Sequence, residues 1–196
     1  MVLHIHSVVS YLSEPRARSC AGGHYFLGNI FPDMSNPTTT CPRLNIPIHS
    51  ISCIMSNVMI SAAEAKIGAA YINGKEAVPI LTLLLELGHP QPATLIQVDN
   101  STKDSFANDT IKQKRLKEID MCFYWIRDCT SQGQFIIYWQ PGITNLGDYH
   151  TKYHSPAHHQ LMQLTYLHTT KHLAHCTIAH ILQGCINSHV PTTVRH

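Results

Sequence analysis

Thr94-Leu95-Ile96-Gln97-Val98-Asp99-Asn100-Ser101 is the stretch on which the fold turns. A β-prone run ends in an Asp-Asn-Ser corner, and the polar, helix-compatible stretch 101–108 follows. An acid at the end of a buried strand stands at the edge of a sheet, where a ligand can reach it. Its oxygens suit a hard cation such as Mg²⁺. A plainer reading is also open, in which Asn100 and Ser101 cap the next helix and Asp99 assists them.

Upstream, residues 2–9 (VLHIHSVV) alternate as a strand, with Val2, His4, His6 and Val8 on one face and Leu3, Ile5, Ser7 and Val9 on the other. Ser13-Glu14-Pro15-Arg16 is a turn, and Gly22-Gly23 opens a second strand, His24-Tyr25-Phe26-Leu27-Gly28. Residues 32–43 read as a loop, with a third strand from Ile46 to Ile54 and Pro47 near its entry. Three strands punctuated by turns imply an antiparallel meander.

The pattern then changes. The Ala-rich segment from Ser61 predicts a helix to about Leu87, with Ser61 as N-cap, Glu64 at capping-box spacing and Pro79 kinking or breaking it. Gly88 is its stop. After the 94–99 strand, a helix is expected from Lys112 to about Ser131, with Leu116, Ile119, Phe123 and Ile126 forming its core stripe. Gly133 ends that helix, QFIIYWQ (134–140) is a fifth strand, and a short helix from about Asn145 to Tyr153 carries Asp148. A meander feeding β-α units implies an α/β fold, a mixed five-stranded sheet flanked by helices.

Composition narrows the class. The 196 residues suffice for one domain and an appendage, and 44% hydrophobic content can build a core. A net charge of +2 does not by itself argue for nucleic acid. Seven cysteines, an odd number without any C-x-x-C, argue for free thiols in a reducing, intracellular compartment. No apolar run is long enough to span a bilayer, and the N-terminus lacks a signal-like pattern.

Several local words share one resemblance. Tyr11-Leu12-Ser13-Glu14-Pro15-Arg16-Ala17-Arg18-Ser19 with Gly22-Gly23-His24-Tyr25-Phe26-Leu27 resembles the opening of the ribonuclease H domain in copia-type (LTR) retrotransposon polyproteins. Ser61-Ala62-Ala63-Glu64-Ala65 is similar to the start of that family's first helix, and Val98-Asp99-Asn100-Ser101 to its Asp-Asn corner. Arg115 to Met121 with Trp125-Ile126-Arg127-Asp128 resembles its Lys-x-Ile-Asp-x-Arg segment and the helix after it. Asn145-Leu146-Gly147-Asp148-Tyr149-His150-Thr151-Lys152 is similar to its terminal Asn-x-Ala-Asp-x-x-Thr-Lys word. The words fall in family order over about residues 3–154, which is more specific than any one of them.

The resemblance implies a ribonuclease H-like fold and hydrolysis of the RNA strand of an RNA–DNA hybrid by two divalent ions, Mg²⁺ or Mn²⁺. It implies an upstream reverse transcriptase domain in the same polyprotein. Glu64, Asp99 and Asp148 match three of the family's four metal-binding acids. The fourth place is held by Val8, which has no lone pair to offer, so little or no cleavage is expected. Gly147 stands where the family usually has Ala, weakening a helix by about 1 kcal/mol. The chain also begins inside its first strand, as a fragment of a decayed polyprotein would.

Lys112, Lys114, Arg115 and Lys117 could track the phosphates of a hybrid, or simply form a solvated helix start. Trp125 and Trp139 read as core or edge aromatics. Residues 155–196 form a His-rich tail, possible helix in part, in which His168, His172, Cys176 and His180 recur at i, i+4 spacing. Two alternatives remain open: a non-catalytic hybrid-binding or structural remnant, and a His-rich metal-binding protein.

Overall fold

The structure, a computed structural model, describes residues 1–28, 44–99, 117–140, 142 and 145–166. Strand β1 (Val2–Glu14) lies at the centre of a five-stranded sheet. On one side it pairs antiparallel with β2 (Arg18–Gly28), which pairs antiparallel with β3 (Leu44–Ile54). On the other it runs parallel to β4 (Thr94–Val98), itself parallel to β5 (Phe135–Trp139). The order β3-β2-β1-β4-β5, three antiparallel strands followed by parallel β-α units, is the ribonuclease H-like arrangement expected above. The 94–99 stretch therefore has the place its sequence suggested, a buried strand next to the central one.

Both faces of β1 are covered, and every residue from Val2 to Val9 is buried. Helix α1 (Ala62–Glu86) and helix α2 (Lys117–Ser131) cover one face. Leu3, Ile5, Tyr25, Ile96, Val98 and Phe135 from the sheet meet Ala70, Ala77 and Ile126 from the helices there. Small residues on α1 let the elements approach closely: a β-carbon on Gly74 would sit 3.1 Å from Trp125 and 3.2 Å from Ile126. Trp125 is accordingly a core aromatic, edge-on to Tyr71 at 5.3 Å.

Asn73 is buried in this interface, and its side chain is hydrogen-bonded. Asn73 of α1 donates to Ser7 Oγ, Gly22 O and Ala69 O and accepts from the Tyr25 hydroxyl. A β-carbon on Gly23 would overlap Asn73 Oδ1, so the glycine is needed for a close approach rather than for a turn.

The helix ends follow their sequence signals. Ser61 Oγ accepts from Glu64 N at 3.2 Å, while Glu64 Oε2 accepts from Ile60 N at 3.0 Å. That is a capping box displaced by one residue on its return leg. Gly88 has φ +82, and Gly88 N and His89 N reach back to Leu85 O and Leu84 O, a Schellman stop. Gly133, φ +71, closes α2 in the same way. The expected kink or break at Pro79 does not end α1, which continues to Glu86. Pro79 lies on an exposed stretch of the helix, where water can take the carbonyl its ring leaves unbonded.

Of the expected α2 stripe, Phe123 and Ile126 are buried, and Cys129 with them. Residues 112–116 lie outside the described residues. The 145–153 segment is a shorter, tighter element than expected, a 3-10 helix over Leu146–His150. Past residue 155, Pro156–Tyr166 forms helix α3, whose Met162 and Tyr166 pack with Phe26 and Leu146 on the second face of the sheet. No helix among the described residues is long and apolar enough to cross a membrane.

Candidate active-site rim

The rim begins with Val8, near the middle of β1 opposite Gly22. Its side chain is 2% exposed. A β-carbon on Gly147 would lie 3.1 Å from Val8 Cγ1, 3.0 Å from His6 O and 3.0 Å from Asn145 Oδ1. The 3-10 helix is thus pressed directly onto β1 beside Val8, as its hydrogen bonds show. Asn145 Nδ2 donates to Ser7 O at 3.0 Å, Gly147 N donates to Asn145 Oδ1, and Leu146 N donates to His6 Nδ1 at 3.1 Å. Helix propensity treats Gly147 as a small penalty; the structure gives it a reason, since alanine there would crowd backbone, Asn145 and Val8 together.

This docking brings Asp148 to the rim. Its Oδ2 is 2.7 Å from Lys152 Nζ, an i,i+4 pair, while its Oδ1 is buried and has no hydrogen-bond partner. Asp99, at the end of β4, is 3.0 Å from Lys66 Nζ through Oδ1. Glu64 is engaged at the helix start by Ile60 N. Residues two apart on a helix project about 200° from one another, so Glu64 and Lys66 leave α1 in opposed directions. Lys66 is the one that meets Asp99.

The structure therefore brings Val8, Gly147 and Asp148 together and gives Asp99 and Asp148 separate lysine partners. Among the described residues no three His, Cys, Asp or Glu side chains gather in a group that could hold a metal ion. Among the described residues, Asp148 Oδ1 is a buried carboxylate oxygen without a hydrogen-bond partner, which a cation would satisfy. The rest of the donor set opposes it: Val8 offers nothing, Lys66 and Lys152 already neutralise two acids, and Glu64 Oε2 accepts from the Ile60 amide at the helix start. Two dications side by side need several uncommitted carboxylates, so the described donor set does not fit the family's ion pair.

Behind the rim lies a histidine cluster that sequence reading did not single out. His6 and His24 pair across β1 and β2 and are both buried. Burial holds the His6 imidazole down at about 3, with smaller contributions from His24 and His4. Burial, and then His150, holds His24 at about 3. Both are neutral at physiological pH. His24 Nδ1 is 2.7 Å from Ser50 Oγ of β3 and its Nε2 is 3.1 Å from the Tyr166 hydroxyl of α3. Burial pushes the Tyr166 phenol well up. The available signal was the alternation of His4 and His6 with the facing His24, a row of polar residues on an otherwise apolar strand face.

Lys112, Lys114 and Arg115 lie outside the described residues, and Lys117 is the first residue of α2. Trp139 is 39% exposed at the sheet's end. His168, His172, Cys176 and His180 also lie outside the described residues.

No protein-family model matches the sequence. No curated protein matches it. Solved structures do. One is the LC11 RNase H1 in complex with an RNA/DNA hybrid, at 11% identity over 75% of this chain and 91% of that one, TM-score 0.46. Another is the N-terminal RNase H domain of Rv2228c from Mycobacterium tuberculosis, at 12% identity over 76% and 92%, TM-score 0.45. A third is the prototype foamy virus protease-reverse transcriptase, at 17% identity over 79% of this chain but 21% of that one, TM-score 0.44. The fold stands on the strand order and directions given above.

Proposed function

We propose that this chain is the ribonuclease H-like domain of a copia-type retrotransposon polyprotein in which hydrolysis of RNA–DNA hybrids has been lost. Glu64, Asp99 and Asp148 are read as the remains of the metal-binding acids, and the upstream reverse transcriptase domain as the partner of the whole polyprotein. Acids at the places of Val8, Glu64, Asp99 and Asp148 would in the family hold two Mg²⁺ or Mn²⁺ ions, whose chemistry would be activation of water and stabilisation of the leaving oxygen. The observation that carries the reading is Val8, an aliphatic side chain buried against the backbone of Gly147, immediately before Asp148. An ion there would meet methyl groups where the family supplies oxygens. What remains is a scaffold for binding hybrid, through the basic residues Lys112, Lys114, Arg115 and Lys117.

The test is Val8→Asp, nearly isosteric with valine. The folded variant is expected to gain Mg²⁺-dependent cleavage of a labelled hybrid. A folded variant as inert as the parent refutes the assignment of Val8 to the missing place.

A further inference from the structure

We infer that Lys66 is the resident counter-cation of Asp99, occupying with its ammonium the position at the end of β4 that a divalent ion would otherwise take. The inference deepens the reading above and rests on it.

Three observations converge. The Lys66 Nζ to Asp99 Oδ1 distance is 3.0 Å, a direct charge-assisted contact. The two side chains are only 16% and 23% exposed, so water and salt screen the pair weakly. The Lys152–Asp148 pair is shorter, 2.7 Å, but its lysine is 50% exposed and so better screened by water and salt. Finally, Lys66 lies two residues past Glu64 on α1, so the helix face turned to β4 presents a cation in place of an acid.

The consequence is competition. A hydrated Mg²⁺ sheds water reluctantly, and to reach Asp99 it must first displace an ammonium tethered within bonding distance. Displacement would leave the partly buried Lys66 beside a dication, a like-charge contact that disfavours both. The lysine therefore holds the position in the chain as it stands, and in Val8→Asp the added carboxylate must supply the charge that lets an ion displace the ammonium.

Thermal melts of the full chain in EDTA and in millimolar Mg²⁺ test this. Mg²⁺ is chosen because a hard cation prefers oxygen ligands and leaves the histidine-rich segment alone. The wild-type midpoint is expected to be the same in both buffers. Lys66→Met keeps the aliphatic stem and removes the charge; its midpoint should fall in EDTA and recover dose-dependently with Mg²⁺. Lys66→Arg should behave as wild type, and Lys66→Met with Asp99→Asn should lose the Mg²⁺ response.

A wild-type midpoint that rises saturably with Mg²⁺, or a Lys66→Met protein deaf to it, overturns the inference. Should Lys66→Met not fold, the Asp99 carboxyl ¹³C resonance of the wild type decides. It should stay fixed through the Mg²⁺ titration, and movement overturns the role of Lys66. A Val8→Asp protein that cleaves hybrid while Lys66→Met ignores Mg²⁺ removes only this inference and leaves the proposed function standing.

Discussion

Acid should loosen this domain at its buried histidines. His6 and His24 are held neutral at about 3 in the folded chain, against 6.5 for an unperturbed imidazole. Because the folded value lies below the unfolded one, the unfolded chain binds more protons in acid. The stabilisation is complete above pH 6.5 and is lost as pH falls from 6.5 towards 3. At about 1.36 kcal/mol per pH unit, each histidine costs about 2 kcal/mol by pH 5, and the pair about 4 kcal/mol. That is a large part of the stability of an ordinary domain, about 5–15 kcal/mol. His24 joins Ser50 of β3 to Tyr166 of α3, and His6 holds Leu146 of the 3-10 helix. Their protonation should therefore release α3 and the segment bearing Asp148. Urea unfolding between pH 7.5 and pH 4.5 measures the slope. Two protons predict about 3 kcal/mol per pH unit below pH 6, and His6→Gln should remove about half of it. A flat profile through this range, or an unchanged slope in His6→Gln, would refute the reasoning.

Three further perturbations probe the packing. Asn73→Ala strips the buried partners of Ser7, Gly22 and Tyr25 and should cost about 2–3 kcal/mol in chemical denaturation. Gly147→Ala should destabilise by about 1–2 kcal/mol through overpacking, the opposite sign to the gain of about 1 kcal/mol that helix propensity alone would give; a more stable variant would show that the close approach to His6 O is relieved at no cost. Lys152→Ala, which removes an exposed i,i+4 pair, should change stability by less than about 1 kcal/mol, and a large loss would mean that Asp148 depends on that lysine.

Much of the fold was legible because the signals were local. Periodicity located the strands, Ser61 with Glu64 marked a helix start, and Gly88 and Gly133 marked two ends, each with the positive φ that glycine allows. The site was legible only in part. Asp148 and Lys152 stand four apart, so their pairing could be anticipated. Lys66 and Asp99 are separated by an entire helix and turn, and nothing local links them. Gly147 read as a defect because its neighbours, Val8 and His6, come from a strand at the other end of the chain. The stretch 156–166 looked like the beginning of a histidine-rich tail, yet Met162 and Tyr166 give it a docking face on Phe26. Polar and apolar residues alternate through it without a clear period, so nothing local marks Met162 and Tyr166 as the ones that find the sheet.

The proposed loss of hybrid hydrolysis at this rim, with Val8 at its heart, is open to direct measurement. The direct measurement is incubation of the purified wild-type chain with an RNA–DNA hybrid labelled on the RNA strand, in Mg²⁺ and separately in Mn²⁺. An intact RNA strand is expected in both. Nicking that EDTA abolishes and that disappears in Asp148→Asn would contradict it.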